Sequence, residues 1–243
     1  QAAGVREGDV VALMLRNSPQ AIELMVATRH LGAQWCPVNW HFKTDEVQYI
    51  LSNSGAKVFI ADADLLGGLQ GLQAGEARVW SVRGRAGGVA QWEQVRNAAP
   101  PVDTAPAPPR GAMFYTSGTT GRPKGIVRMP FSAAQVQAAA DMRRAAYGVD
   151  AGMRALLNAP WYHSAPNGYA LGMVQESATL YIEERFDAER TLAVIALHRI
   201  THAYLVPTMY VRMLALPAPV RAAYDLSSVR FVSSTGSPCP PDV

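Results

Sequence analysis

Residues 115–125 read Tyr-Thr-Ser-Gly-Thr-Thr-Gly-Arg-Pro-Lys-Gly, a short stretch that concentrates hydroxyl groups, glycines and one lysine. Glycine lets backbone N–H groups approach a ligand closely and tolerates positive φ. Clustered N–H groups and hydroxyls form a concave surface that suits phosphate oxygens, and the ammonium of Lys124 adds a positive charge for a polyphosphate. Apolar residues at 111–115 and 126–127 predict flanking strands. We therefore expect a phosphate-binding loop between two buried elements.

The order of residues differs from the GxxxxGK[ST] loop of many nucleotide-binding proteins. Lysine here precedes glycine, as Lys124-Gly125, and no Gly-Lys pair lies at the required distance from Gly118. Residues 126–130 predict an extended chain, whereas a helix directly follows a P-loop. A surface turn rich in Gly, Ser and Thr is the alternative, but a turn of this length that ends in Arg-Pro-Lys-Gly is uncommon.

Residues 116–125 resemble the phosphate-binding loop of the adenylate-forming superfamily, which includes acyl-CoA synthetases, aryl-CoA ligases, luciferases and peptide-synthetase adenylation domains. Every position from Met113 to Lys124 fits the pattern of that loop. The resemblance covers nearly the whole chain, and residues 38–62 are similar to an early strand–helix–strand segment of the family. It implies an α/β fold of stacked, mostly parallel sheets with helices between them, as in the N-terminal domain of acyl-CoA synthetases.

Strand and helix patterns alternate along the chain, which favours a parallel sheet with crossover helices. Thr44 is expected to cap the second helix, and Asp187 a later helix at 188–199. Residues 64–109 look less regular. We expect a first α/β subdomain at 1–109, which would end in a proline-rich linker at 98–109. Residues 110–243 would form a second, truncated subdomain with the phosphate loop, and the C-terminal domain of the family would be absent.

Composition narrows the range of partners. The net charge of +3 is small for 243 residues, and no run of basic residues suggests nucleic acid. No signal peptide and no apolar stretch of 18 residues or more is evident, so we expect a cytoplasmic protein without a membrane span. The two cysteines match no metal-binding or redox spacing. The oligomeric state cannot be read from the sequence.

The resemblance implies a reaction in two steps. A carboxylate attacks the α-phosphate of ATP to give acyl-AMP and pyrophosphate, and a thiol, usually CoA, then displaces AMP. Electrostatic stabilisation and positioning suffice for the first step. By resemblance, the β- and γ-phosphates would be held by Thr116, Ser117, Gly118, Thr119, Thr120, Gly121 and Lys124.

Other parts of the family's machinery have no counterpart in this sequence. The glutamate that helps to hold Mg²⁺, the ribose-binding aspartate and the C-terminal catalytic lysine would all lie beyond Val243. The cofactors implied are ATP, Mg²⁺ and CoA, yet no metal ligand is assigned here. We therefore expect the 243-residue chain alone not to turn over.

A second candidate segment is Ala-Pro-Trp-Tyr-His-Ser-Ala at residues 159–165. A similar Pro–aromatic–His segment lines the acyl pocket of acyl- and aryl-CoA ligases, and His163 matches its histidine. The imidazole can hydrogen-bond a carboxylate or an acyl-phosphate; a core histidine bonded to a backbone carbonyl is the alternative. Relatives that activate amino acids place an aspartate here. No acidic residue occurs between Ala159 and Tyr169, which argues against an amino-acid substrate.

A third segment, Ser233 to Pro238, leaves the last predicted strand. It resembles the family's segment along the adenine face and the acyl tunnel, and Gly236 and Ser237 are the positions carried over. From the residues alone, an ordinary turn at the end of a strand is nearly as good an interpretation.

The leading hypothesis is an acyl-CoA synthetase for a fatty or other apolar acid. In this hypothesis Lys124 both binds phosphate and takes part in catalysis, and His163 has a catalytic role. An aryl-acid ligase or a carrier-protein acylase of the same superfamily is the nearest alternative. A non-catalytic nucleotide-binding paralogue is a different class of alternative, and the intact phosphate loop argues against it.

Overall fold

The computed structural model describes residues 3–101, 103–116 and 123–240, and the chain divides into two compact units. The first comprises the residues up to Arg16 together with Gln20–Ser132, and the second comprises Asn17–Pro19 and the residues from Ala133 onward. The boundary that the sequence suggested, between residues 109 and 110, falls inside the first unit. The assignment of these units as separate domains stays a prediction.

The first unit is built around a parallel sheet with the strand order β2-β1-β3-β4-β5. Its elements and those that follow up to residue 125 are β1 (Val10–Met14), α1 (Pro19–His30), β2 (Gln34–Pro37), α2 (Thr44–Ser54), β3 (Val58–Asp62), α3 (Ala63–Gly68), β4 (Arg78–Val82), β5 (Ala90–Gln91), α4 (Trp92–Ala98), β6 (Tyr115–Thr116) and β7 (Lys124–Gly125).

The central strands are apolar along their whole length. Every residue of β1 and of β3 is buried, which is typical of parallel strands that are covered on both faces. The region 64–109 is more ordered than its sequence suggested, because β4 continues the sheet beside β3 and α4 packs against β4. Glycines in this region obscured the pattern of the strand.

The start of α2 corrects one expectation. Thr44 is the first helical residue and not the cap; Lys43 precedes the helix in an extended conformation. The N–H of Lys43 donates to the Glu46 carboxylate at 2.8 Å. A glutamate in the first helical turn thus satisfies a backbone donor that the helix itself leaves unpaired.

The proline-rich segment expected as a linker makes specific contacts with the first unit. The N–H of Ala107 donates to the carbonyl of His30 at 2.9 Å, and the His30 ring contacts the carbonyl of Thr104 at 3.0 Å. Further along, the N–H of Met113 donates to the carbonyl of Trp35 at 2.9 Å. This chain therefore follows the edge of the sheet beside β2.

The second unit contains another parallel sheet, with the strand order β11-β10-β8-β9. Its elements are α5 (Ala133–Tyr147), β8 (Arg154–Leu157), α6 (Ser164–Gln175), β9 (Thr179–Ile182), α7 (Ala188–His198), β10 (His202–Leu205), α8 (Pro207–Leu214), α9 (Ala218–Ala222) and β11 (Phe231–Ser234). The expected cap at Asp187 is confirmed, since its carboxylate accepts the N–H of Arg190 at 2.8 Å.

Both main sheets are parallel and helices connect their strands, while β6 and β7 form a short antiparallel pair. The α/β fold class expected from the sequence is confirmed. Among the helices of the described residues, none has the length and apolar character needed to cross a membrane.

A buried carboxylate joins the ends of three strands in the first unit. Asp62 ends β3, and only 2% of its side chain is exposed. It accepts the backbone N–H of Arg16 at 2.9 Å and two bonds from the guanidinium of Arg83, at 3.0 and 2.7 Å. Arg16 follows β1 and Arg83 follows β4, so this carboxylate fixes how these strand ends lie beside one another.

We predict that Asp62→Ala lowers the free energy of unfolding by about 2 to 3 kcal/mol, because it removes the buried carboxylate to which the Arg83 guanidinium and the backbone N–H of Arg16 are bonded. Urea denaturation would measure the change. Asp64→Ala is the matched control: Asp64 also pairs with Arg16, but 66% of its side chain is exposed, so its loss should change stability by less than about 1 kcal/mol. Equal effects of the two substitutions would contradict the role of Asp62.

Candidate functional site

The described ends of the phosphate loop form a short ribbon. Strand β6 pairs with β7 so that Tyr115 lies opposite Gly125 and Thr116 opposite Lys124. The expected strands at 111–115 and 126–127 are therefore displaced toward the loop, and Ile126 and Val127 lie outside β7. Thr116 and Lys124 are both exposed. A hydroxyl and an ammonium are thus presented side by side where the intervening segment begins and ends.

The remaining residues predicted to hold phosphate lie outside the described residues. They are Ser117, Gly118, Thr119, Thr120 and Gly121. Their roles stay predictions from the sequence.

Gly125 is required by the side chain on the opposite strand. A Cβ atom at residue 125 would lie 2.8 Å from the ring of Tyr115, closer than non-bonded carbon atoms approach. The absence of a side chain at Gly125 lets the aromatic ring lie across the ribbon. The glycine that ends the motif therefore has a packing role in addition to any role toward a ligand.

His163 lies between β8 and α6. It is the N-cap of α6 in an extended conformation, its N–H donates to the carbonyl of Pro160 at 3.2 Å, and its carbonyl accepts the N–H of Asn167 at 3.0 Å. The side chain is exposed, and the Tyr162 ring lies beside the imidazole at a centroid distance of 4.4 Å. Partial desolvation lowers the pKa of His163 below its usual value of 6.5, so at neutral pH the imidazole is mainly uncharged.

His202 is a structural histidine of the second unit and can be compared with His163. Only 1% of His202 is exposed, and its ring nitrogens contact the Thr201 hydroxyl and the carbonyl of Gly148, each at 2.8 Å. His163 differs in its exposure, and its imidazole forms no hydrogen bond within the described part of the chain.

A buried asparagine that the sequence reading missed holds the segment before His163. The side-chain amide of Asn17 donates to the carbonyls of Ala159 and Glu183 at 2.9 and 3.0 Å, and its oxygen accepts the N–H of Trp161 at 2.9 Å. Asn17 is only 4% exposed. One side chain thus links the chain that leaves β8 to the chain that leaves β9.

A second amide completes this support from the helix side. Asn167, in the first turn of α6, donates to the carbonyl of Trp161 at 3.1 Å. Both backbone groups of Trp161 are therefore bonded to asparagine side chains, and the indole itself is completely buried. Trp161 belongs to the core, which fixes the direction in which the chain proceeds to His163.

The third segment follows β11. Gly236 has a φ of +94°, a conformation that other residues rarely adopt. A Cβ there would meet Val206 only at 3.5 Å, so its backbone conformation, and not close packing, requires glycine. The preceding residue, Thr235, shares a short hydrogen bond with the hydroxyl of buried Tyr204. Ser237 is exposed.

The topology of the second sheet brings two of the three segments to one edge. His163 follows the carboxyl end of β8, and Gly236 and Ser237 follow the carboxyl end of β11. These parallel strands are separated only by β10, which corresponds to about 10 Å between their axes. Ligands of open α/β sheets bind outside the carboxyl ends of the strands. Thr116 and Lys124 belong to the first unit.

The described residues include no group of three or more His, Cys, Asp or Glu side chains arranged to hold a metal ion. None of these residues is therefore assigned as a metal ligand. The exposed ammonium of Lys124 and hydroxyl of Thr116 fit a phosphate group, because both can donate hydrogen bonds to its oxygens.

The sequence does not mark Asn17 as a support for distant backbone groups. Asn17 lies between an apolar strand and the Ser-Pro start of α1, where an asparagine is an ordinary turn residue. Its partners are 142 to 166 positions away, so no local pattern points to them.

Comparisons with known proteins show the family to which the chain belongs. A model of the AMP-binding enzyme family matches residues 1–243. The feruloyl-CoA synthase of an Amycolatopsis species is 33% identical over 257 residues, which cover 100% of this chain and 47% of that protein. The long-chain-fatty-acid–CoA ligase FadD13 of Mycobacterium tuberculosis is 30% identical over 241 residues, which cover 98% of this chain and 47% of that protein.

A solved structure gives the same result for the fold. The N-terminal domain of FACL13 from Mycobacterium tuberculosis superposes with a TM-score of 0.78 at 29% identity, covering 99% of this chain and 60% of that one. The chain belongs to the family of AMP-binding enzymes. It spans about half the length of the curated relatives that it matches.

We predict that Asn17→Ala lowers the free energy of unfolding by about 3 kcal/mol, because it leaves two carbonyl groups and one N–H without their partner. Thermal or urea denaturation followed by circular dichroism would measure it. Asn97→Ala is the control, since Asn97 is exposed on α4 and its substitution should change stability by less than about 0.5 kcal/mol. A neutral Asn17→Ala would show that this amide does not hold the strand ends.

Proposed function

We propose that the protein activates a carboxylic acid with ATP, forming acyl-AMP and pyrophosphate, and then transfers the acyl group to the thiol of CoA. The family match over the whole chain is the observation that carries the proposal. Two relatives that match this chain are a feruloyl-CoA synthase and a long-chain-fatty-acid–CoA ligase. The exposed Thr116–Lys124 pair supplies donors of the kind that the first step requires.

Lys124 has both a binding and a catalytic role in this proposal. Its ammonium contacts the β- and γ-phosphates of ATP together with Thr116 and with Ser117, Gly118, Thr119, Thr120 and Gly121. As the carboxylate attacks the α-phosphate, negative charge moves toward the departing pyrophosphate. A fixed positive charge nearby stabilises that change more than it stabilises the ground state. Mg²⁺ bound to the phosphates would offset further charge.

His163 acts on the acid in this proposal. A neutral imidazole has one nitrogen that donates and one that accepts a hydrogen bond. Donation to a carboxylate oxygen orients the nucleophile and, after attack, the same N–H contacts the acyl-phosphate. The lowered pKa of His163 favours the neutral form, which avoids a strong ion pair that would hold the carboxylate back from reaction. The asparagine supports of Trp161 determine where this imidazole lies.

Gly236 and Ser237 are proposed to line the adenine and the entrance of the acyl site. The positive φ of Gly236 turns the chain at the carboxyl end of β11, on the same edge as His163. Exposed backbone and the Ser237 hydroxyl are available there for a ligand.

The substrate is proposed to be a fatty or other apolar acid. The segment 159–169 contains no acidic residue to pair with the ammonium of an amino acid, and Tyr162 adds a partly exposed aromatic ring beside His163. An aryl acid is the second candidate, and the 33% identity to a feruloyl-CoA synthase is the observation in its favour.

A screen of acids tests the proposed function. Acid-dependent exchange of labelled pyrophosphate into ATP by the full-length protein reports the first step, and AMP release with CoA reports the second. Fatty, cinnamic, benzoic and amino acids should be compared at equal concentration. Exchange with none of them, under conditions where the protein is folded, would refute the proposal, and a preference for cinnamic acids would select the aryl-acid alternative.

We predict that Lys124→Ala in the full-length protein reduces kcat/KM for ATP in pyrophosphate exchange about tenfold to a hundredfold, the usual effect of losing a charge-assisted hydrogen bond. Lys57→Ala is the matched control: Lys57 is an exposed lysine of the first unit with only a 3.8 Å contact to Glu76, and its removal should leave the rate unchanged. Identical rates for Lys124→Ala and the wild type would remove Lys124 from the site.

We predict that His163→Ala reduces kcat/KM for the acid about tenfold or more, with a smaller change in the KM for ATP, because the imidazole contacts the acid. Steady-state kinetics with each substrate varied in turn would measure the difference. His198→Ala removes an exposed histidine at the end of α7 and serves as the control. A change confined to the KM for ATP would move His163 to the nucleotide site.

A further inference from the structure

Two tyrosine hydroxyls connect the ends of the phosphate loop to helix α2. The hydroxyl of Tyr49, on α2, donates to the carbonyl of Pro123 at 2.9 Å. The hydroxyl of Tyr115, on β6, donates to the side-chain oxygen of Asn53, also on α2, at 2.8 Å. One contact lies at the chain that enters the loop, and the other at the chain that leaves it.

The two contacts come from one face of one helix. Tyr49 and Asn53 are four positions apart, so they project from the same side of α2. The rings of Tyr49 and Tyr115 also meet edge to face, with centroids 6.4 Å apart and an interplanar angle of 82°. The helix therefore contacts both ends of the segment through a single cluster of three side chains, here called the stem cluster: Tyr49, Asn53 and Tyr115.

The opposite face of α2 is fixed to the sheet. Val47, Ile50 and Leu51 are at most 3% exposed and belong to the core cluster that also contains Val38 and Phe59. The rings of Tyr49 and Tyr115 pack against the same core cluster. Because the core holds α2 in place, the helix is a rigid support. A binding group that must be placed within a fraction of an ångström needs such a support.

The two tyrosine hydroxyls form hydrogen bonds in addition to the packing of their rings. Proline has no N–H, so the carbonyl is the only polar backbone group of Pro123, and Tyr49 supplies its hydrogen bond. Burial raises the pKa of Tyr115, so its hydroxyl remains protonated and available as a donor at all ordinary pH values. The ring of Tyr115 can lie across the ribbon because Gly125 has no side chain.

We propose that the stem cluster is a positioning device for ATP: the hydroxyls of Tyr49 and Tyr115 set the spacing of the two loop ends, and thereby aim Thr116 and Lys124 at the triphosphate. The proposal rests on the proposed function, because it assigns the triphosphate to this loop. Tyr49 and Tyr115 act through Thr116 and Lys124 and do not themselves touch the nucleotide.

The first test needs no substrate. Lysine occurs in the 243-residue sequence only at Lys43, Lys57 and Lys124, so a lysine-specific endoproteinase reports on the loop through cleavage after Lys124. Tyr49→Phe and Tyr115→Phe keep the rings and remove only the hydroxyls. Each should increase the cleavage rate after Lys124 about three- to tenfold relative to cleavage after Lys57, the factor expected for one ordinary hydrogen bond.

The second test uses the full-length protein and pyrophosphate exchange. Each Phe variant should raise the KM for ATP about three- to tenfold and leave the KM for the acid within about twofold, and Asn53→Ala should match Tyr115→Phe. Tyr224→Phe is the control, because it removes a hydroxyl that donates to Glu189 at 3.0 Å in the second unit. Ser52→Ala controls for changes on the exposed side of α2.

The outcomes separate the two proposals. Wild-type protein without acid-dependent exchange refutes the proposed function and with it the role toward ATP, whereas the cleavage assay still decides whether the hydroxyls hold the loop ends. Active wild type with Phe variants that are unchanged in cleavage and in the KM for ATP overturns the stem cluster. An equal rise in the KM values for ATP and acid, or a loss of overall stability, overturns it too, because it indicates a general structural effect.

Discussion

Backbone groups just beyond the carboxyl ends of parallel strands need partners outside the sheet, and in the second unit this constraint determines how the chain runs to His163. Asn17 satisfies it in the second unit by bonding to three backbone groups at the ends of β8 and β9. Three backbone groups around the turn before His163 are thereby paired. In the first unit, Asp62 has the corresponding place, with arginines from neighbouring strands. Buried polar side chains thus fix strand ends in both units, and in the second unit they fix the chain that leads to His163.

The two candidate regions are supported in different ways. His163 is placed by neutral amides that are buried with their partners, so it depends on the interior of the second unit. Thr116 and Lys124 are placed by a ribbon and by a helix whose far face belongs to the core of the first unit. Under the proposed roles, substitutions deep in the second unit should affect the use of the acid, and substitutions deep in the first unit the use of ATP.

Local sequence patterns were enough to predict much of the fold, but not to predict the residues that support the candidate site. The Asp187 cap follows from neighbouring residues and lies where the sequence indicated. The strand β4 was missed because its exposed and partly buried positions, between glycine-rich segments, give no clear alternation. Asn17 and Tyr49 were missed for another reason: their partners are distant in sequence, and only the folded chain brings them together. The motif at residues 115–125 was recognisable because its residues form one continuous segment of the sequence.

The fit between Tyr115 and Gly125 has a consequence for altering this chain. The ring occupies the space that any side chain at residue 125 would need. The residue types that fit at position 125 therefore depend on the residue at position 115. A designer who wishes to stiffen the ribbon with a residue larger than glycine at 125 must first shorten residue 115, and would thereby lose the hydroxyl that reaches α2. A larger residue at 125 should therefore be tolerated best together with a smaller residue at 115.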